Sequence, residues 1–219
     1  MKVLGAGIFL AEELAGFQAP PAWRKATRNM VTATASIERA LAQAGVNVAG
    51  DHEIGFVLGS TAGELETSAD FIGTWSKSRL ARPLLFQNSL HNATTGFASI
   101  HFQLTGPSFS MSALEATPEE CLGMAKMLIA EKSCKACIVT LVEGHKTLAK
   151  LMGELSVSEG ACTLVVSSED ACRENGWAPR AEIADLKALN YPRADVHAPL
   201  VAIQDSGFFA RARDWGAGK

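Results

Sequence analysis

Three short apolar runs constrain the fold of this 219-residue chain more than any other feature of its sequence. They lie at 54–58, 136–142 and 161–166, and they lack the polar-apolar alternation of a strand that has one side in solvent. Runs of this kind are typical of strands that are covered by helices on both faces of a sheet. The first five residues also begin like a strand. The sequence therefore predicts an α/β fold with the strands in its central layer.

Helical periodicity separates the apolar runs. Apolar residues recur at steps of three and four in the first of these segments, which is stopped by Gly45. Thr61 and Glu64 have the spacing of a capping box and indicate where the second helix begins. The intervening residues 76–87 are rich in charge and are predicted to form a loop. Helices are predicted at 22–44, 61–75, 88–104 and 118–131.

The segment 106–130 indicates a strand that passes through a tight turn into a helix. Serines alternate with Phe109, Met111 and Ala113, which is the period-two pattern of a strand. Thr117 is a good N-cap, and Pro118 suits the first helical position. The helix that follows is apolar around most of its circumference. We therefore expect it to be buried on several sides.

The chain is predicted to form one domain over 1–219, because the sequence contains no internal repeat and no linker. The pattern is strong over about 1–168 and weakens in an extension at 169–219. One more strand or helix is expected near 181–189.

Composition excludes several classes of function. The formal net charge is -3 and the isoelectric point is near 6.0, so nucleic acid is not an expected partner. Every apolar run is far shorter than the roughly 20 residues of a membrane span, and no signal segment precedes the first strand. A cytoplasmic location is therefore expected. The five cysteines are an odd number and are scattered, which argues against a disulfide framework.

Two short motifs have both a chemical and a structural interpretation. Cys134 and Cys137 have the spacing of half a zinc site or of a redox pair, but no second ligand pair follows, which favours structural cysteines. Gly5 and Gly7 could belong to a dinucleotide-binding loop, yet the full glycine fingerprint is missing. No metal and no cofactor is therefore predicted.

The histidines do not suggest a metal or catalytic cluster. His91 and His101 lie on the helix predicted at 88–104, ten residues apart and so on nearly opposite faces. They cannot bind one metal ion from that helix alone. His145 and His197 have no local partner and are expected to be surface or structural residues.

Two stretches, "NSLHNATTGFASIHFQLTGPSFSMSA" and "KACIVTLVEG", resemble the N-terminal half of a β-ketoacyl synthase, which has the thiolase fold. The resemblance covers most of 1–168 and implies half of that fold, with helices on both faces of a mixed five-stranded sheet. In that family the catalytic cysteine stands nine positions after the glycine of a Gly-Pro-Ser turn. Counting from Gly106 leads to Glu115, whereas Cys121 lies six residues further on. The chain is also about half as long as a complete synthase, so the repeat that supplies two active-site histidines is not expected.

These departures imply a subunit without condensing activity. Condensation needs a thiolate that accepts the acyl chain, and the glutamate at the nucleophile position is a poor acyl acceptor. Chain-length factors of this family have also lost the cysteine and pair with an active synthase. The resemblance therefore implies a chain-length-factor-like subunit of a type II fatty-acid or polyketide system, such as an aryl-polyene pathway. Its implied partners are a full-length β-ketoacyl synthase, an acyl-carrier protein and, without them, a second copy of the chain.

The resemblance also implies where such a partner binds. The corresponding strand in the family pairs with its mate across a dimer axis, which makes the following residues the expected interface: Ser108, Phe109, Ser110, Met111 and Ser112. The residues expected near the acyl tunnel of the partner are Phe86, Leu114 and Glu115.

A stand-alone enzyme is the alternative. Glu115 near a helix N-terminus would be stabilised as the anion and could act as general base in hydrolysis or decarboxylation of an acyl thioester. The sequence shows no second catalytic group that converges on it. A module that only docks an acyl-carrier protein is a third alternative, and the absence of a strong basic cluster makes it less favoured as a sole role.

Overall fold

The three apolar runs form the centre of one mixed sheet, as predicted. The structure is a computed structural model that describes residues 1–113, 116–144 and 159–183. Its strands are β1 (Lys2–Leu10), β2 (Ile54–Gly59), β3 (Ser108–Met111), β4 (Ala136–Glu143), β5 (Gly160–Ser167) and β6 (Ala181–Glu182). β2, β4 and β5 are buried along nearly their whole length, which explains why their sequences do not alternate.

The strand order is β3-β2-β4-β5-β1-β6. β2 is parallel to β3 and to β4, whereas β5 runs antiparallel to β4 and to β1. The expected number of five strands is too low by one, because Ala181 and Glu182 pair with Val3 and Lys2 as a sixth strand. This strand has only two residues, which is too short to produce a periodic pattern in the sequence.

Helices cover both faces of the sheet. They are α1 (Ala11–Leu14), α2 (Arg28–Ala44), α3 (Leu65–Ser78), α4 (Pro83–Asn88), α5 (Ala93–Phe102), α6 (Thr117–Ala130) and α7 (Glu169–Asn175), with a 3-10 helix at Pro21–Trp23. Side chains of α2 and α5, including Ile37 and Ala98, share one core cluster with Phe56 and Ile138 of the sheet. α6 packs on the opposite face, in a second cluster that contains Val139. None of the described helices is long and apolar enough to cross a bilayer.

Two glycines of β1 allow α2 to lie directly on the sheet. A Cβ atom on Gly7 would lie 2.7 Å from the amide nitrogen of Ala40, and closer still to the carbonyl oxygen of Ser36. The Ser36 hydroxyl donates to the Gly7 carbonyl at 2.9 Å and contacts the Thr163 hydroxyl at 2.9 Å. A Cβ atom on Gly5 would lie similarly close to atoms of Ala40 and Ala44. These glycines therefore serve helix-sheet packing.

Several helix boundaries differ from the prediction. The first long helix begins at Arg28 and not at residue 22, because the Thr27 hydroxyl accepts a hydrogen bond from the Met30 N–H and caps it there. The loop predicted at 76–87 contains the end of α3 and most of α4. The helix predicted at 88–104 begins only at Ala93, as α5, because a turn follows the end of α4 at Asn88. α5 ends at Phe102, where Gln103 adopts a left-handed conformation with φ of 54°.

Among the described residues, α6 is covered most completely on the side that faces the sheet, so the expectation of burial on several sides stays a prediction. Cys121, Leu122, Ala125 and Leu128 face the sheet and are buried. Met127, on the other side, keeps half of its surface exposed. The apolar circumference of this helix therefore exceeds what the sheet alone covers.

Candidate functional site

The turn between β3 and α6 is where the sequence places the nucleophile-equivalent position. Leu114 and Glu115 lie outside the described residues, so the predictions for these two side chains stay predictions. On either side of them, the Ala113 N–H donates to the Thr117 hydroxyl at 2.9 Å, and the Ala116 N–H donates to the Ala113 carbonyl at 3.0 Å. α6 begins at Thr117, within one residue of the expected start. The turn is thus fixed by local hydrogen bonds.

A glycine brings α6 close to the end of β2. A Cβ atom on Gly59 would lie 2.5 Å from the Cys121 sulfur and 2.8 Å from a methyl carbon of Thr117. Burial raises the pKa of the Cys121 thiol to about 12. Cys121 therefore remains a neutral thiol on the side of α6 that faces the sheet. A buried neutral thiol is a weak nucleophile.

A partly buried carboxyl group lies at the same end of the sheet. Glu143, the last residue of β4, accepts hydrogen bonds from the backbone N–H groups of Thr61 and Ala62 and from the Ser60 hydroxyl. Burial raises its pKa, and these donors partly oppose the shift by stabilising the anion. The Ser112 hydroxyl donates to the Thr61 carbonyl at 3.3 Å, so the same loop contacts the chain just before the turn. Glu143 is thus a protonatable group next to the predicted site.

Glu143 is a site residue that was not predicted from the sequence. A carboxylate that directly follows a fully apolar strand is a signal that could have found it, because parallel strands place their carboxyl ends at one edge of a sheet. The capping box predicted for Thr61 is also wrong, because a residue far along the chain bonds the backbone of Thr61. The Thr61 N–H has Glu143 as a distant partner, and α3 begins only at Leu65.

A second carboxylate, which is buried, connects three helices. Glu64, only 5% exposed, accepts hydrogen bonds from the hydroxyls of Thr27 at 2.8 Å, Thr67 at 2.9 Å and Thr94 at 2.5 Å. These threonines belong to the start of α2, to α3 and to α5. Asn29 supports the same loop by donating to the Gly63 carbonyl at 2.7 Å. Glu64 is therefore a structural centre behind the predicted site.

The predicted interface strand lies at an edge of the sheet. Phe109 keeps 38% of its surface exposed, and Ser108 and Ser112 are exposed as well. Ser110 and Met111 are half-buried, and the Ser110 hydroxyl shares a 2.6 Å hydrogen bond with the Thr95 hydroxyl of α5.

The register of this edge shows which backbone groups point outward. The Phe56 N–H donates to the Pro107 carbonyl at 2.9 Å. Alternate residues of a strand bond to the same neighbour in a parallel ladder. The backbone N–H and C=O groups of Ser108 and Ser110 are therefore directed away from β2. An additional strand would pair with these groups.

The predicted tunnel residue Phe86 lies on the surface. Its side chain is 54% exposed, and its ring centroid is 5.6 Å from that of Phe71 on α3. Other large apolar side chains of α3, α4 and the residues around them are also exposed: Ile72, Trp75, Leu80, Leu84 and Leu90. This part of the molecule is more apolar than an ordinary exposed surface.

The structure also separates the histidines. His91 precedes α5, where its ring lies beside Gly63 and its Nε2 is 3.4 Å from the Met111 carbonyl. His101 remains on α5 and contacts Trp23 and Glu38. The prediction of one helix for both is therefore wrong, because the chain turns between α4 and α5. His145 and His197 lie outside the described residues.

No described part of the chain holds a group of three side chains that could bind a metal ion. Cys134 and Cys137 are both buried and reduced, as are the other three cysteines. The structure places the two sulfur atoms close together at the start of β4, beside Gly55.

Comparison with known proteins assigns the family. The profile of the β-ketoacyl synthase N-terminal domain matches residues 13–174. The chain therefore belongs to the β-ketoacyl synthase N-terminal domain family. A search of curated protein sequences found no match.

Solved structures share the fold. The ishigamide ketosynthase/chain length factor superposes with a TM-score of 0.61 at 21% identity, over 69% of this chain and 46% of that chain. The ketosynthase ApeO in complex with its chain length factor ApeC from Xenorhabdus doucetiae gives a TM-score of 0.62 at 17% identity, over 77% and 79%. The complex AntDE:AntF, a type II polyketide acyl-carrier protein with its ketosynthase, gives 0.69 at 12% identity, over 84% and 61%.

These similarities establish a ketosynthase-like, thiolase-type fold. The matched region spans about half of the ishigamide protein and about three fifths of the AntDE:AntF chain. The mixed sheet with helices on both faces agrees with the expected fold class.

Proposed function

We propose that the chain is a non-condensing, chain-length-factor-like subunit that pairs with an active β-ketoacyl synthase. The setting would be cytoplasmic type II fatty-acid or polyketide biosynthesis, of which an aryl-polyene pathway is one form. Glu115 stands where the family has its cysteine, and a carboxylate does not provide the thiolate that condensation requires. Two of the similar structures are described as a ketosynthase with a chain length factor.

The observation that carries the proposal is the exposed edge of β3. The outward N–H and C=O groups of Ser108 and Ser110 form a ready template for a strand of another subunit. The exposed ring of Phe109 adds an apolar contact at the same edge. Phe86, Leu114 and Glu115 would then lie near the acyl tunnel of the partner, where their size would limit chain length.

Co-expression with the full-length ketosynthase tests this pairing. We expect a one-to-one complex in size-exclusion chromatography with light scattering. Ser110→Pro should abolish the complex, because it removes the outward N–H group without removing a hydrogen bond to β2. Ser110→Ala is the matched control, since it loses the same hydrogen bond to Thr95 but keeps the backbone N–H.

The result also separates two kinds of dimer. The chain could form a homodimer when it is alone and a heterodimer when the ketosynthase is added. In that case the edge of β3 serves both assemblies. A complex that survives Ser110→Pro, in a variant that is folded, would contradict pairing through β3. Condensing activity of the complex should survive Glu115→Ala.

The alternative function, a stand-alone thioester hydrolase or decarboxylase, gains one observation from the structure. Glu143 is a protonatable group at the same end of the sheet as the turn that carries Glu115, and burial holds its pKa above the usual range. A pair of carboxyl groups with different pKa values can supply a general base and a general acid. Under this alternative the purified chain should hydrolyse acyl thioesters, and both Glu115→Gln and Glu143→Gln should reduce the rate. An inactive chain would exclude it.

An acyl-carrier protein is a further proposed partner, supported by charge. Residues 15–37 and 71–114 contain no acidic residue, although the whole chain has a net charge of -3. Asn88 of α4 donates to the Lys25 carbonyl, which places these two segments side by side. They carry the following exposed basic residues: Arg24, Lys25, Lys77, Arg79 and Arg82. Arg28 is also exposed, but it forms an ion pair with Glu159. These basic residues do not form a run in the sequence, because the two segments are distant along the chain.

Charge reversal tests this partner. Arg79→Glu combined with Arg82→Glu should weaken binding of an acidic carrier protein, and added salt should weaken binding to the wild-type chain. Arg173→Glu, on α7, is the control. Equal weakening by the control would contradict docking at this surface.

A further inference from the structure

Two buried thiols converge at the start of β4. A Cβ atom on Gly55, in the neighbouring strand, would lie 3.0 Å from the Cys134 sulfur and 3.3 Å from the Cys137 sulfur. Both sulfurs thus border the same small space, which exists because residue 55 has no side chain. Cys134 is 3% exposed and Cys137 is fully buried.

The backbone explains why these side chains meet. Residues three apart in a regular strand point to opposite faces of the sheet. Cys134 precedes β4, which begins at Ala136, and its N–H lies near the Leu128 carbonyl of α6, at 3.3 Å. The chain therefore bends between the two cysteines. This bend brings both sulfurs to the face covered by α6.

The two thiols differ in acidity. A hydrogen bond with Cys137 lowers the pKa of Cys134, because the Cys137 S–H stabilises the thiolate. The same hydrogen bond, followed by burial, raises the pKa of Cys137. A more acidic thiol beside a less acidic one is the arrangement of an attacking and a resolving cysteine.

Cys134 is also the member of the pair that borders a surface cavity. It lines a surface cavity of about 590 Å³, together with Lys126, Ile129 and Lys132 from α6 and the turn after it. Carboxylate side chains line the cavity as well, so its wall has mixed charge. Cys137 does not line this cavity.

We propose that Cys134 and Cys137 form a reversible disulfide by exchange with a low-molecular-weight disulfide such as oxidised glutathione. The Cys134 thiolate attacks one sulfur of the reagent, which releases one thiolate and leaves a mixed disulfide on Cys134. Cys137 then transfers its proton to the released thiolate and attacks the Cys134 sulfur, which expels the second thiolate. Two protein thiols are oxidised, and one reagent disulfide is reduced to two thiols.

A metal site explains the pair less well. Zinc in a structural site takes four ligands, and no third ligand joins these two sulfurs among the residues that the structure describes.

Peptide mapping of the full chain tests the proposal. After treatment of the folded protein with oxidised glutathione, we expect the loss of two of the five free thiols and a mass decrease of about 2 Da. Trypsin cleaves after Lys132, Lys135 and Lys146, so the disulfide would join peptide 133–135 to peptide 136–146. This linked pair of peptides is unique to a Cys134–Cys137 bond and disappears on reduction.

The control is Cys172→Ser, because Cys172 is buried in the core cluster on the other face of the sheet. This variant should still give the linked peptides, whereas Cys134→Ser should not. Five free thiols after treatment, glutathione that remains on Cys134 without a linked peptide, or a disulfide to another cysteine would each overturn the proposal. The wild-type map decides the question even if a variant fails to fold.

Discussion

Substitution of Gly7 by alanine tests the close packing of α2 on β1. The new Cβ atom would lie 2.7 Å from the Ala40 amide nitrogen and closer still to the Ser36 carbonyl oxygen, so α2 must move by about 1 Å to reach ordinary contact. Overpacking of this kind costs about 1–3 kcal/mol. The shift would also stretch the hydrogen bond from the Ser36 hydroxyl to the carbonyl of residue 7, which contributes roughly 1 kcal/mol. We therefore expect Gly7→Ala to lower the free energy of unfolding by about 2–4 kcal/mol.

Urea unfolding followed by far-UV circular dichroism measures this loss. The midpoint of thermal unfolding should fall by about 2–4 °C for each kcal/mol in a protein of this size. Gly96→Ala is the matched control, because a Cβ atom at that position on α5 would meet nothing within 4 Å. It should stabilise the protein by up to about 1 kcal/mol, since alanine is the better helix former. If Gly7→Ala is as stable as wild type, α2 does not lie as close to β1 as the structure places it.

Three further substitutions or reactions test the residues around the predicted site. Glu64→Gln should lower the free energy of unfolding by about 1–3 kcal/mol, because the buried Glu64 side chain bonds three threonine hydroxyls. The exposed Glu174→Gln should leave it unchanged. The raised pKa of Glu143 means that the folded state holds this proton more tightly than the unfolded state, so wild-type stability should fall relative to Glu143→Gln as the pH rises above about 4.5. Parallel pH profiles of thermal unfolding would contradict this. Cys121 should resist alkylation by iodoacetamide at pH 8 in the folded protein and react after denaturation, and equal rates in both states would contradict its buried, neutral thiol.

The sequence located the central strands well, because their burial on both faces leaves a continuous apolar run. β2, β4 and β5 each end within two residues of the predicted positions. Helix starts were less predictable. Glu64 has the local spacing of a capping partner for Thr61, but hydroxyl groups from three other parts of the chain hold its carboxylate in the core.

The site could be predicted only in part. A count from Gly106 identified the turn that carries Glu115, because that turn lies between a strand and a helix that are both visible in the sequence. Glu143 was missed, because its donors at 60–62 lie about 80 residues away along the chain. The convergence of Cys134 and Cys137 also depends on a bend and on a glycine in another strand.

The sequence by itself determined the α/β class, and it has Glu115 at the position where the family resemblance predicts the nucleophile. Burial patterns and residue identities are local properties. Only the tertiary structure decided that β3 lies at an edge, which side of α6 faces the sheet, and which buried groups share hydrogen bonds. The physical reason is that strand order and side-chain contacts depend on how distant segments pack. A local sequence pattern does not show how close two residues lie after folding when they are distant along the chain.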